Sequence, residues 1–178
     1  MRDLQSPVSP ESVDERERLL AAWNQLNLVL GFFSRIDAKL SVVLGIDLGM
    51  LALAGSRMPT LDTMTCWMLL TTTMFAPAIA VSFYHIWKGA FPDLSGGTGS
   101  VVYFKSIARM SESAFRQAYN VKGHSELADD ILSQVWRNST ILDSKFSSLR
   151  RAFVATIFAV IPWIGLLVAL PENGGICS

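Results

Sequence analysis

Two short clusters hold the residues best suited to polar chemistry, and each stands just before an apolar run. The first is Arg35-Ile36-Asp37-Ala38-Lys39-Leu40. The second is Leu142-Asp143-Ser144-Lys145-Phe146, followed by Arg150-Arg151. Both contain Asp-x-Lys. Cations with a neutralising acid can simply flank a membrane span, or they can form, or couple to, the floor of a site for an anionic ligand. Asp37 is expected to pair with Lys145 or Arg150, because an unpaired carboxylate on a buried face is costly. A third acid, Asp47, lies inside the first apolar run. An acid near mid-span costs about 2.5–3.5 kcal/mol on insertion scales, so it normally faces a bundle interior or water. Asp47 is therefore either a packing lock between spans or a pore-lining, gating acid in an oligomer. Thr71, Thr72 and Thr73, on an antiparallel second span, are expected at its depth.

Other chemistry has little support. His85 and His124 sit apart and share no ligand spacing. The run SGGTGS at 95–100 lacks the Lys and the strand–helix setting of a phosphate loop. No metal, cofactor or nucleophile site is expected, and an enzyme is the least expected class. Cys66 lies in an apolar run and Cys177 beside the last residue, so no disulfide framework is expected.

The elements that carry these residues follow from composition and period. The chain has 178 residues, 51% hydrophobic and 17% charged, which is more apolar and less charged than a soluble domain of that length. Its net charge of zero argues against a nucleic-acid polymer as partner. Met1 to Arg18 is polar and rich in acids, unlike a signal peptide, and residues 1–8 read as disordered.

Ser9-Pro10-Glu11 is a helix-start signal. From there Leu19, Trp23, Leu26, Leu30, Phe33, Asp37, Leu40, Leu44, Asp47 and Leu51 recur by fours and threes, a heptad seam that predicts one helix over 11–54 with both acids facing partner helices. Its first half is too polar for lipid, and 38–55 is the first span. A tight turn is expected at 55–60. The second span covers 61–87, with Pro77 inside it and Trp67, Tyr84 and Trp87 as an aromatic belt. Residues 88–100 read as a linker. Val101–Phe104 reads as a short extended piece, and Ser111 caps a short helix that ends near Gly123. Tyr103, Phe104, Ile107 and Phe115 are expected to form a small core. Ser125 caps the last helix, whose seam reads Ala128, Leu132, Val135, Ser139, Leu142, Phe146, Leu149 and Phe153. The third span is 151–170, with 171–178 as a tail.

The expected fold is thus an all-α membrane protein. It has three transmembrane helices, two of them continuous with long cytosolic helices, and a short cytosolic helical segment. All but one of the 15 Lys and Arg residues, Arg57 being the exception, would share one side. The positive-inside rule puts that side in the cytoplasm, so residues 1–37 and 88–150 are cytosolic and the C-terminal tail is periplasmic.

At this point the residues match a pattern. SRIDAKLSVVLG resembles the opening of the transmembrane effectors of bacterial Pycsar antiphage systems, where Asp-x-Lys leads into the first span. YFKSIARMSESAF is similar to that family's segment between spans two and three, and ADDILSQVWRNSTILDSKFSSLRRAF to its long last helix. The resemblance covers about residues 20–170. It implies a partner pyrimidine cyclase that makes cyclic CMP or cyclic UMP on phage infection. It also implies an effector that senses the messenger and impairs the inner membrane, giving abortive infection.

Candidate ligand contacts come from the residues themselves. A cyclic nucleotide needs a cation or helix N-terminus for its phosphate and an aromatic or apolar face for its base. Lys105, Arg109 and Arg116 on the short segment, with Arg35, Lys39, Lys145 and Arg150, supply the charge; Tyr103, Phe104 and Trp136 supply the face. Three spans are too few to enclose a conduit, so a pore requires a homo-oligomer. Rival readings are a membrane-anchored helical scaffold, an effector of a related oligonucleotide-signalled defence system, and a small transporter or holin-like protein.

Overall fold

The computed structural model describes residues 10–58, 64–92 and 99–169. Among these residues it is entirely helical: α1 (Pro10–Ser56), α2 (Cys66–Ala90), α3 (Phe104–Ile107), α4 (Glu112–Val121) and α5 (His124–Ala169). Three of the helices, α1, α2 and α5, are long and apolar enough to cross a membrane, so this is a multi-pass membrane protein. Gly31 does not interrupt α1, and Pro77 and Pro162 lie within unbroken helices. The expectations for the first eight residues, the Ser9 cap, residues 59–60 of the first turn, residues 93–98 of the linker and the C-terminal tail fall outside the described residues.

Helix ends differ from expectation in detail. The second helix starts at Cys66, with the Thr65 hydroxyl accepting from the Met68 amide, and it runs on to Ala90. The last helix begins at His124, so Ser125 is already inside it. Ser111 caps α4 by accepting from the Ala114 amide, as its sequence predicts. Of the expected extended piece, Val101 and Val102 form a bend, Tyr103 is extended (φ −78°, ψ 119°) as the N-cap of α3, and Phe104 is already helical.

The chain divides into two compact units, Met1–Phe33 with Asp93–Leu142 and Ser34–Pro92 with Asp143–Ser178; α1 and α5 contribute to both. In the first unit Ala22, Leu26, Ala128 and Ile131 form the core, with Leu19, Val102, Leu127 and Val135 packed against it. Phe104, expected in a small core, is 60% exposed. In the second unit Met50, Ala54, Met68, Phe75, Ile79, Ala159 and Leu166 form the core. The Trp163 indole donates to the Met50 carbonyl (3.0 Å) and the Trp67 indole to the Gly165 carbonyl (3.3 Å).

Both long helices keep the heptad rule and move half of its register. In α1, Leu26, Leu40 and Asp47 are buried as the seam predicts, and Leu19 and Phe33 are half-buried. The alternate positions step back by one residue, to Ala22, Val29, Ile36, Val43 and Met50, leaving Trp23, Leu30 and Leu51 exposed. In α5, Ala128 and Leu149 stay buried while Ile131, Lys145 and Ala152 replace Leu132, Phe146 and Phe153. Within the spans, where a helix faces lipid, hydrophobicity does not separate inside from outside, and the small Ala152 takes the interface in place of Phe153. Packing is close at Gly89, where a Cβ would lie 3.1 Å from Leu40 Cδ1 and 3.3 Å from Ser148 Cβ, and at Gly165, where it would lie 3.1 Å from Thr71 Cγ2.

Candidate functional site

In the second unit α1 and α5 run parallel and in step. Lys145 contacts Asp37 and Thr156 contacts Asp47, with sequence offsets of 108 and 109. The second helix is antiparallel to both and brings Ser82 to the level of Asp47. The Asp47 side chain is fully buried and meets a hydroxyl from each of the other two spans. Ser82 Oγ donates to Oδ2 (2.5 Å) and Thr156 Oγ1 to Oδ1 (2.8 Å), and the two hydroxyl oxygens lie 3.0 Å apart. The three oxygen contacts form a closed triangle. Each of these buried polar groups thereby finds partners inside the bundle, as a dry interior requires.

The expected partners, Thr71, Thr72 and Thr73, are not those of Asp47. Thr71 is buried and donates to carbonyls of its own helix, those of Trp67 (3.0 Å) and Met68 (3.1 Å), and Thr73 donates to the Leu69 carbonyl (2.7 Å). The reason is the length of the connection. The chain from Arg57 to Thr65 separates the two helices, so α2 begins later than a tight turn allows. Residues further along it then stand level with Asp47.

Asp37 pairs with Lys145, one of its two expected partners, but its exposure differs from expectation. It sits at the rim of the seam with its side chain 51% exposed, not on the buried face, while Lys145 is buried and reaches it. Lys39 and Arg150 are exposed and line a groove with Ala38, Val42, Val43, Phe146, Leu149 and Phe153. Arg35 is exposed.

In the first unit the sequence candidates do not converge. Phe104 and Trp136 are exposed, at 60% and 68%. Tyr103 packs edge-on against Phe104 (centroids 5.1 Å), and Lys105 is half-buried. Arg109 is exposed, and Arg116 lies 3.6 Å from Glu112 on the outer face of α4.

A polar cavity of about 300 Å³ lies elsewhere in that unit, walled by residues that sequence reasoning missed, among them Ser100, Lys122, Glu126, Ser133, Gln134 and Arg137. Its organising group is Asp130. Ser100 Oγ (2.6 Å), the Val101 amide (2.9 Å) and Lys122 Nζ (3.0 Å) all donate to its carboxylate. Burial pushes that carboxyl up, but the bonds from Ser100, Lys122 and Val101 outweigh it and hold it below the usual carboxylate value. Ser100 also accepts from the Val102 and Tyr103 amides, pinning the turn that the positive φ of Gly99 (82°) opens.

Of the other acids in this wall, Asp129 is paired with Arg18 (2.8 Å). Among the described residues that leaves Glu126 and Arg137 as lining charges without an ion-pair partner, and Arg137 Nη1 is buried with no hydrogen bond. A buried donor of this kind is suited to an acceptor that enters from outside. Gln134 and Arg137 stand among other polar residues, Ser133, Asn138, Ser139 and Thr140, so the sequence did not mark them out. Among the described residues no group of His, Cys, Asp and Glu could hold a metal ion.

Comparison with known proteins found no match among curated proteins and none among solved structures. The family model of the Pycsar effector protein domain matches residues 21–171.

Proposed function

Because this chain belongs to the Pycsar effector family, whose role is antiphage defence, we propose that it is a messenger-gated effector of the bacterial inner membrane. The messenger in this reading is a cyclic pyrimidine nucleotide, cyclic UMP or cyclic CMP, made by a partner cyclase. Binding in the first unit shifts the population between two packings of α1 and α5, and the spans re-pair in a homo-oligomer so that the membrane loses its integrity. The N-terminus and the 88–150 segment are cytoplasmic and the C-terminus periplasmic, in accord with the Lys and Arg bias.

The observation that carries this reading is the Asp47–Ser82–Thr156 triangle. A simple anchor has no need of an acid buried among three spans, since every such group makes insertion less favourable. A bundle that must re-pack between two states does need contacts that can be broken and remade. The polar cavity supports the sensing half. Arg137 offers an uncommitted guanidinium to a phosphodiester, and Glu126, Ser133 and Gln134 offer partners to a ribose hydroxyl and a base edge.

The test is dye leakage from liposomes carrying the full-length protein, with cyclic UMP, cyclic CMP, cyclic AMP and cyclic GMP added in turn. Leakage with one pyrimidine nucleotide alone is expected. No leakage with any of them, in protein shown to be inserted and folded, would favour the scaffold or a different messenger.

A further inference from the structure

The groove between α1 and α5 in the second unit has a chemistry that a nucleotide does not match. It is about 530 Å³, and its lining is Ala38, Val42, Val43, Leu149, Phe146 and Phe153, with Lys39 and Arg150 as its only charges. Val42, Phe146 and Phe153 are 62%, 56% and 51% exposed, so the apolar wall is open on its outer side. Among the described residues neither cation has an ion-pair partner, and no acid lines the groove; the neighbouring Asp37 is engaged by Lys145. Helical side chains lean toward the N-terminus of their own helix. The two helices run parallel here, so both cations lean the same way, away from Val43 and Phe153.

An occupant must therefore be anionic at one end and a hydrocarbon along the rest. We infer that this groove binds one anionic glycerophospholipid, its phosphate between Lys39 and Arg150 and an acyl chain along Val42, Val43, Leu149 and Phe153. Basic pockets between spans on the cytoplasmic side are suited to such head groups, and each cation near the surface adds to the attraction. The site is independent of the messenger and of the gating scheme above.

The experiment uses the full chain in detergent micelles, with phosphatidylglycerol, phosphatidylcholine or glycerol phosphate added, read by native mass spectrometry and by thermal unfolding. One phosphatidylglycerol per chain is expected to survive transfer and to raise the unfolding temperature saturably. Phosphatidylcholine and glycerol phosphate should do neither. The double variant Lys39→Gln, Arg150→Gln should weaken phosphatidylglycerol binding about tenfold or more. Val42→Trp, which fills the groove from an exposed position, should do the same with both cations intact. Equal retention of phosphatidylcholine would mean ordinary annular lipid, and retention by glycerol phosphate a plain anion site. Unchanged phosphatidylglycerol binding in either variant would also overturn the proposal, as would a dimer that Val42→Trp dissociates, since a second copy would then cover the groove.

Discussion

Asp47 and Ser82 are 35 residues apart in the chain, yet the serine hydroxyl lies 2.5 Å from the carboxyl, and Thr156 closes the contact from the third span. One acid thereby ties together all three helices able to cross the membrane. Its replacement is the most direct probe of gating.

Asp47→Leu is expected to leave nucleotide binding intact and to reduce messenger-driven leakage and toxicity. Ser82 and Thr156 can then still bond each other, so the loss of stability should be about 1–3 kcal/mol, the scale of a buried polar rearrangement. Full toxicity in cells expressing the mutant with its cyclase would remove Asp47 from the gate.

Arg137→Gln should weaken binding of the cyclic nucleotide by about tenfold or more, because hydrogen bonds to a charged group contribute about 1.5–3 kcal/mol. Titration calorimetry on the full-length protein measures this. Arg116→Gln, on the outer face of α4, should bind as the wild type does. Equal affinity in the two variants would exclude the cavity as the site.

The Asp130 cluster makes stability depend on pH. Its carboxyl is held below the unfolded value, near 3.8, by Ser100, Lys122 and Val101. A depressed group stabilises the fold above its unfolded value, and that contribution is lost as pH falls through the folded value. Thermal unfolding should therefore show a decline in stability below about pH 4 that Asp130→Asn largely lacks. The Asn variant should already be less stable at pH 7, by about 1–3 kcal/mol. An identical acid slope in both proteins would mean that other carboxylates govern it.

The seam registers can be separated by size. Ala128 is fully buried and Leu132 is 40% exposed. Ala128→Leu should destabilise by about 1–3 kcal/mol through overpacking, whereas Leu132→Gln should change little. The reverse order in unfolding experiments would restore the register that apolar counting suggests.

Asp37→Ala leaves the buried Lys145 ammonium without its carboxylate, and it should lower the unfolding temperature in detergent. The double variant Asp37→Ala, Lys145→Met should recover part of that loss, because it removes the buried charge along with its partner. If the double variant is the less stable of the two, the pair contributes more than its desolvation costs.

Local pattern was enough for the helices themselves. Apolar period, the Ser111 cap, the absence of a breaker through Gly31 and the length of the apolar runs are all near-neighbour properties, and each determines where backbone hydrogen bonds can close within one segment. The Asp37–Lys145 pair was legible for a similar reason, since two parallel helices with matching charge clusters leave few alternatives. Which side of each seam faces inward was decided only by tertiary packing. Within the spans lipid is as apolar as Leu, so Leu51 and Phe153 could turn outward while Ala152 lets the backbones approach; outside them, the faces that bury Ala22 and Ile131 in place of Trp23 and Leu132 were set by the packing of α1 against α5. The partners of Asp47 depended on how much chain the connection between α1 and α2 consumes, which no periodicity records. The cavity around Arg137 was hidden because its walls come from a turn at Ser100 and a face of α5 some thirty residues away in sequence. The half-buried Arg137, with its Nη1 enclosed, looks like a solvated cation until the fold sets it in the same pocket as that turn.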